Sequence, residues 1–239
     1  MRLISLMASV LILFTSVPSS AADWFDYNNR VDNFAVSFPA QPTIKDITYT
    51  SEYKHMLPGR VYTAMNGAER YTVTVVDYRN LQKMENDRIK KCEEANADKG
   101  AVQSRKRVPG DVCMDIYLHD MRGAVIFATW NLTKAALDKG AKMTRMAYSR
   151  MDLVEGQEVY IDNADKSQTI FGVYMHEDRL FIVEGTVAPN APPPMLFYNS
   201  IGFLDANGQR IRYATPYANG LTHPARAGGG GGARGQQPQ

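Results

Sequence analysis

The stretch from Gln168 to Val187, Q-T-I-F-G-V-Y-M-H-E-D-R-L-F-I-V-E-G-T-V, constrains this fold more than any other. Two runs rich in β-branched and aromatic residues flank a polar break at His176-Glu177-Asp178, the pattern of a β-hairpin. On the first arm Ile170 and Tyr174 fall on one face, and Phe171, Val173 and Met175 on the other. On the second arm Leu180 and Ile182 alternate with Phe181 and Val183. Successive strand side chains point to opposite faces, so a hairpin that is apolar on both needs cover on both. The expectation is a central hairpin, with the rest of the chain as cover or edge.

The flanking segments fit that role. Phe34 to Phe38 alternates cleanly and stops at Pro39, a half-buried strand. Ile44 to Tyr53 is a second strand, and Pro58-Gly59 predicts a turn. Arg60–Met65 and Arg70–Tyr78 form a hairpin about Asn66-Gly67, a favoured turn pair. From Leu81 the period becomes helical through Met84, Ile89 and Cys92, ending by Gly100. A second helix is predicted from Asp111, near its cap, along Cys113, Ile116, Tyr117, Met121, Ala124 and Ala128. Ala124–Trp130 is also strand-compatible, but the unbroken stripe favours helix. Strand character returns over Lys142–Val154 and Gln157–Asp162, with a turn predicted at Glu155-Gly156. Met195 to Ile201 suits a short closing helix behind the prolines at 192–194, and Gln209–Tyr213 suits an edge strand.

Residues 1–22 read as a secretory signal: Arg2, an apolar run from Leu3 to Phe14, then Ser20-Ala21-Ala22, with cleavage after Ala22 or Ala21. The run is shorter than the roughly 20 apolar residues a spanning helix needs. One domain is expected over 23–213, followed by a Gly-rich tail over 214–239 that cannot bury enough surface to order itself. The formal charge of +2 gives no general reason to expect a nucleic-acid partner. An exported, bacterial periplasmic or secreted, protein with two cysteines predicts one disulfide, Cys92 to Cys113, pinning the two helices together; the alternative is two buried thiols.

The chain lacks G-x-S-x-G, H-E-x-x-H, C-x-x-C and the phosphate-binding glycine motifs, which argues against several common enzyme classes. No catalytic set is assigned. Asp111, Asp115 and His119 are spaced by four and would share one helix face, with Asp120 adjoining. Imidazole and carboxylates can ligate a divalent cation. The same spacing describes a solvated face capped by Asp111, and no ligand set of diagnostic spacing completes it, so the reading is no metal and no cofactor. His176-Glu177-Asp178 reads as a polar turn, and His55 as a loop residue with no evident partner. Lys99, Arg105, Lys106 and Arg107 form the clearest charge cluster, suited to an anionic surface or acidic partner. Glu93, Glu94 and Asp98 nearby favour a solvated loop.

A strand-rich start, helical middle, meander and short final helix accompany three motifs: Phe34-x-Val36-x-Phe38-Pro39, Arg179-Leu180-Phe181-Ile182-Val183 and Leu196-Phe197-Tyr198-Asn199-Ser200-Ile201-Gly202-Phe203. Over residues 30–205 the chain resembles the PsbP-like α/β sandwich group. The resemblance implies an α+β fold, an antiparallel sheet with helices on its faces. It also implies functions that are mostly accessory and exerted through protein contacts. The two-cysteine helical insert departs from the simple group pattern. The leading functional expectation is a non-enzymatic accessory or protein-binding module whose partner is another exported or envelope protein. The alternative is a small-ligand binder or enzyme using a cleft between helices and sheet.

Overall fold

The structure, a computed structural model, describes residues 23–96 and 113–218. The signal stretch, Lys99, Arg105, Lys106, Arg107, Asp111 and the Gly-rich tail from 219 lie outside them. Ten strands and three helices are formed among the described residues. They are β1 (Phe25–Asn29), β2 (Phe34–Phe38), β3 (Thr43–Thr50), β4 (Met56–Asn66), β5 (Glu69–Asp77), α1 (Leu81–Asn96), α2 (Tyr117–Leu137), β6 (Lys142–Met151), β7 (Val154–Asp162), β8 (Gln168–His176), β9 (Arg179–Val187), α3 (Met195–Ser200) and β10 (Gly202–Phe203).

Seven strands make one antiparallel sheet in the order β3-β4-β5-β9-β8-β7-β6, and the Gln168–Val187 hairpin is at its middle. Its turn, Glu177-Asp178, takes φ values of +45° and +56°, the left-handed pair that matches the twist of two-residue hairpins. Both faces are covered as their apolar content requires. Ile170, Tyr174, Phe181 and Val183 pack against Phe34, Phe38, Phe197 and Phe203, contributed by α3 and a second sheet of order β1-β2-β10. Phe171, Met175 and Leu180 pack on the other side against Leu81 of α1 and Met121, Ala124 and Ala128 of α2. Ala124–Trp130 is helix, and its small buried alanines let α2 lie close on the sheet.

Several boundaries differ from expectation for local reasons. Pro58-Gly59 is inside β4 rather than a turn: the ladder to β5 begins only at Gly59, so Pro58 occupies an edge of the sheet where a missing donor is tolerated. The β6–β7 turn is at Asp152-Leu153, both at positive φ, not at Glu155-Gly156. Gly156 is drawn into β7 because a Cβ there would collide with the Val173 carbonyl and the Tyr174 ring. Gln209–Tyr213 forms no continuous strand, only isolated bridges at Arg210, paired with Leu204, and at Tyr213.

The ordered chain also runs past the expected boundary at 213. Tyr217 is buried, its N–H donates to the Leu153 carbonyl (2.8 Å) and its carbonyl accepts from Glu155 N–H (2.8 Å). It thereby braces the positive-φ turn at Leu153, a conformation that a bulky residue adopts only when held.

Candidate functional site

Cys92 and Cys113 are joined, with Cα atoms 5.6 Å apart, and the bond ties the end of α1 to the chain entering α2. Under this pinned pair is a buried polar cluster drawn from four segments. Ser51 follows β3, His55 precedes β4, Glu85 is on α1 and Asp120 on α2. All four are buried. Ser51 Oγ donates to Asp120 Oδ2 (2.5 Å) and accepts from His55 N–H (3.1 Å). The His55 ring lies between two carboxylates, with Nδ1 2.9 Å from Asp120 Oδ2 and Nε2 3.1 Å from Glu85 Oε2. Each ring nitrogen of His55 thus has one carboxylate oxygen within hydrogen-bond distance, from opposite edges of the ring.

Glu85 is the most heavily bonded member. Arg88 forks onto both its oxygens (2.8 and 2.6 Å), and Ile116 N–H donates to Oε1 (3.0 Å). Burial opposes the Glu85 charge, but Arg88, the Ile116 N–H and His55 outweigh it and hold the carboxyl below its ordinary range. Arg88 also reaches the Met114 carbonyl, 2.6 Å away, just past the disulfide. Among the described residues Asp120 Oδ1 finds no hydrogen-bond partner, and the buried Tyr49 and Tyr78 hydroxyls have only each other for company. Burial, then the Asp120 charge, pushes the Tyr49 hydroxyl up to about 12.

Chemically the cluster is a clamp. Serine, histidine and aspartate are present, but Ser51 bonds to the aspartate rather than to the imidazole, and no member faces a cleft. Nor do the acids converge on one point, since the ring of His55 separates them. Among the described residues no group of three or more His, Cys, Asp or Glu could hold a metal. The cluster ties the β3–β4 connection to both helices.

The sequence singled out other residues. Asp115 precedes α2 rather than riding on it, and its Oδ1 accepts from Tyr117 N–H (2.9 Å). The four-residue spacing from Asp115 to His119 therefore does not fall on one helix, and Asp111 lies outside the described residues. His119 is exposed, its ring 6.4 Å from that of Tyr53. His176 is buried rather than presented at a hairpin tip; it stacks on Phe203 and its Nε2 is 2.7 Å from the Tyr213 hydroxyl. His55 has two carboxylate partners where the sequence suggested none. A signal for the cluster did exist: Glu85 is four residues from buried Leu81, and Asp120 is four from buried Ala124, so each acid interrupts an apolar stripe.

No protein-family model and no curated protein matches the chain. Among solved structures it is similar to cyanobacterial PsbP from Synechocystis sp. PCC 6803. The two are 11% identical, the match covers 80% of this chain and 98% of that one, and the TM-score is 0.40. No activity comes to this chain from that likeness.

Two surfaces remain on the insert side. The outer face of α2 carries Ile126, Trp130 and Leu137, 62%, 58% and 42% exposed. Spacings of four and eleven residues put them on one side of the helix, away from Met121, Ala124 and Ala128. Near the C-terminal end of α2 a cleft of about 500 Å³ opens between Leu132, Ala136 and Lys139 and the sheet residues Ile161, Thr169 and Thr186. Its polar lining is internally paired: Arg70 with Glu184 (2.5 Å), Thr169 with Thr186 (2.8 Å), and Asn163 with Ser167 (3.0 Å).

Proposed function

We propose that this protein is an exported accessory module that works by contact with another envelope protein, presenting the outer face of α2. The observation that carries the reading is Trp130, more than half exposed in mid-helix between Ile126 and Leu137. Exposed tryptophans flanked by aliphatic side chains are the usual anchors of protein interfaces. A disulfide and a buried clamp support the same helix, so its face is held ready rather than ordered on binding. The partner chemistry that fits is an apolar groove deep enough to take an indole. The N-terminal apolar run before Asp23 and the disulfide support export. Contact rather than catalysis is favoured because Ser51, His55, Glu85 and Asp120 are sealed and occupied with one another.

The test is quantitative affinity purification from the native envelope with wild-type protein and Trp130→Ser. One protein enriched by the wild type and lost with the variant, at an unchanged Tm, supports the reading. Identical captures by both would overturn it.

A further inference from the structure

On the face of the sheet that carries β1 and β2, one buried arginine makes no direct hydrogen bond or ion pair among the described residues. Arg179 opens β9 and is only 6% exposed. It shares a strand face with Phe181, so it points toward the layer that holds β1 and β2. Its register partner on β5 is Asp77, and Arg60 of β4 lies on the same side, one strand further out. Asp32, in the β1–β2 turn, closes over this corner.

The two nearby aspartates are already engaged. Asp77 is chelated by Arg79, through Nε at 2.9 Å and Nη2 at 2.6 Å. Asp32 accepts from Arg60 Nη1 (2.6 Å) and from the Tyr62 hydroxyl (2.5 Å). Arg179 forms no hydrogen bond or ion pair among the described residues, and its Nε is sealed from solvent without a partner. Arg60 also meets Asp46 (3.4 Å), and Asp77, Asp32 and Glu177 all attract the Arg179 charge, yet the most buried of the three guanidinium groups is the one that makes no hydrogen bond among the described residues. Burial, then the charge of Arg79, holds its guanidinium below the ordinary value. A sealed donor without a partner is costly, and the planar guanidinium fork matches an oxyanion.

We propose that this corner, bounded by Asp32, Arg60, Arg79 and Arg179, is a binding site for a small oxyanion, which the Arg179 guanidinium takes through its free donors. Arg79 adds attraction, while Asp77 and Asp32 hold Arg79 and Arg60 in place and limit the site to one modest charge. The inference is independent of the α2 reading, since the two surfaces are on opposite faces of the sheet.

Inorganic phosphate is the probe, with chloride at matched ionic strength as reference. In protein labelled with ¹⁵N at arginine, the Nε–Hε signal of Arg179 is expected to move saturably with phosphate and not with chloride. The Tm should rise by about 3 to 6 °C at ten times the dissociation constant. Arg179→Met keeps the length of the side chain and removes the donors. It should fold with a Tm at or above that of the wild type in chloride, and phosphate should no longer shift it. An Arg179 signal that ignores phosphate, or an equal phosphate shift in Arg179→Met, would overturn the proposal.

Discussion

Replacing Glu85 by alanine should be among the most damaging single changes in this protein. Glu85 is 1% exposed, and three groups lose their acceptor at once: the Arg88 fork, the Ile116 N–H and His55 Nε2. Arg88 is 37% exposed and can turn to water, so it contributes least to the loss. Ile116 N–H and His55 cannot follow it. His55 keeps Asp120 on one edge but loses its carboxylate partner at Nε2 on the other. Removing one partner of a buried pair costs about 3 to 5 kcal/mol, mostly through the polar groups left behind. For a domain of this size that lowers Tm by about 6 to 20 °C. Equilibrium urea unfolding with the disulfide intact measures it, read as a shifted midpoint at constant slope. A loss under about 1 kcal/mol would refute the reasoning, because the cluster would then be hydrated and not a clamp. A double-mutant cycle with His55→Leu should show strong coupling between the two positions.

The remaining predictions follow from the same geometry. Glu85 titrates below its ordinary value of 4.5 in the folded chain, so its contribution is present above that pH and is lost as pH falls through the folded value; Glu85→Gln should flatten the acid limb of the stability profile. Replacing both Cys92 and Cys113 by serine should cost about 3 kcal/mol, the worth of closing a loop of this length, and calorimetry of the variant measures it. Truncation after 213 removes buried Tyr217 and its bonds to Leu153 and Glu155 and should lower stability by about 3 kcal/mol relative to truncation after 218, read as the difference in urea midpoints. Gly156→Ala forces a Cβ into the Val173 carbonyl and should destabilise by about 1 to 3 kcal/mol, whereas an alanine at exposed Gly67 meets open space but is strained by its positive φ and should cost about 1 kcal/mol; urea midpoints compare the two.

The elements with strong periodicity were legible in the chain. The doubly apolar arms of β8 and β9 required a central position, and the stripe through Met121, Ala124 and Ala128 identified α2. Turns were less legible where the third dimension chose them. Gly156 is a glycine because Tyr174 crosses it, not because the chain bends there, and Leu153 turns because Tyr217 holds it. The clamp escaped because its members are up to 69 positions apart, from Ser51 to Asp120, and hydrogen-bond partners at that distance leave no spacing to read. The Asp115 to His119 spacing misled for the converse reason: it has helical arithmetic, but α2 begins only at Tyr117, after Asp115.

The account rests most heavily on the outer face of α2. The direct measurement is in-cell photo-crosslinking with a diazirine amino acid placed in turn at Ile126, at Trp130 and, as a control on the distant sheet edge, at exposed Thr48 of β3. The account predicts one discrete adduct, shared by positions 126 and 130 and absent from 48. The same adduct at all three positions, or none at 126 and 130 while 48 captures a partner, would contradict it.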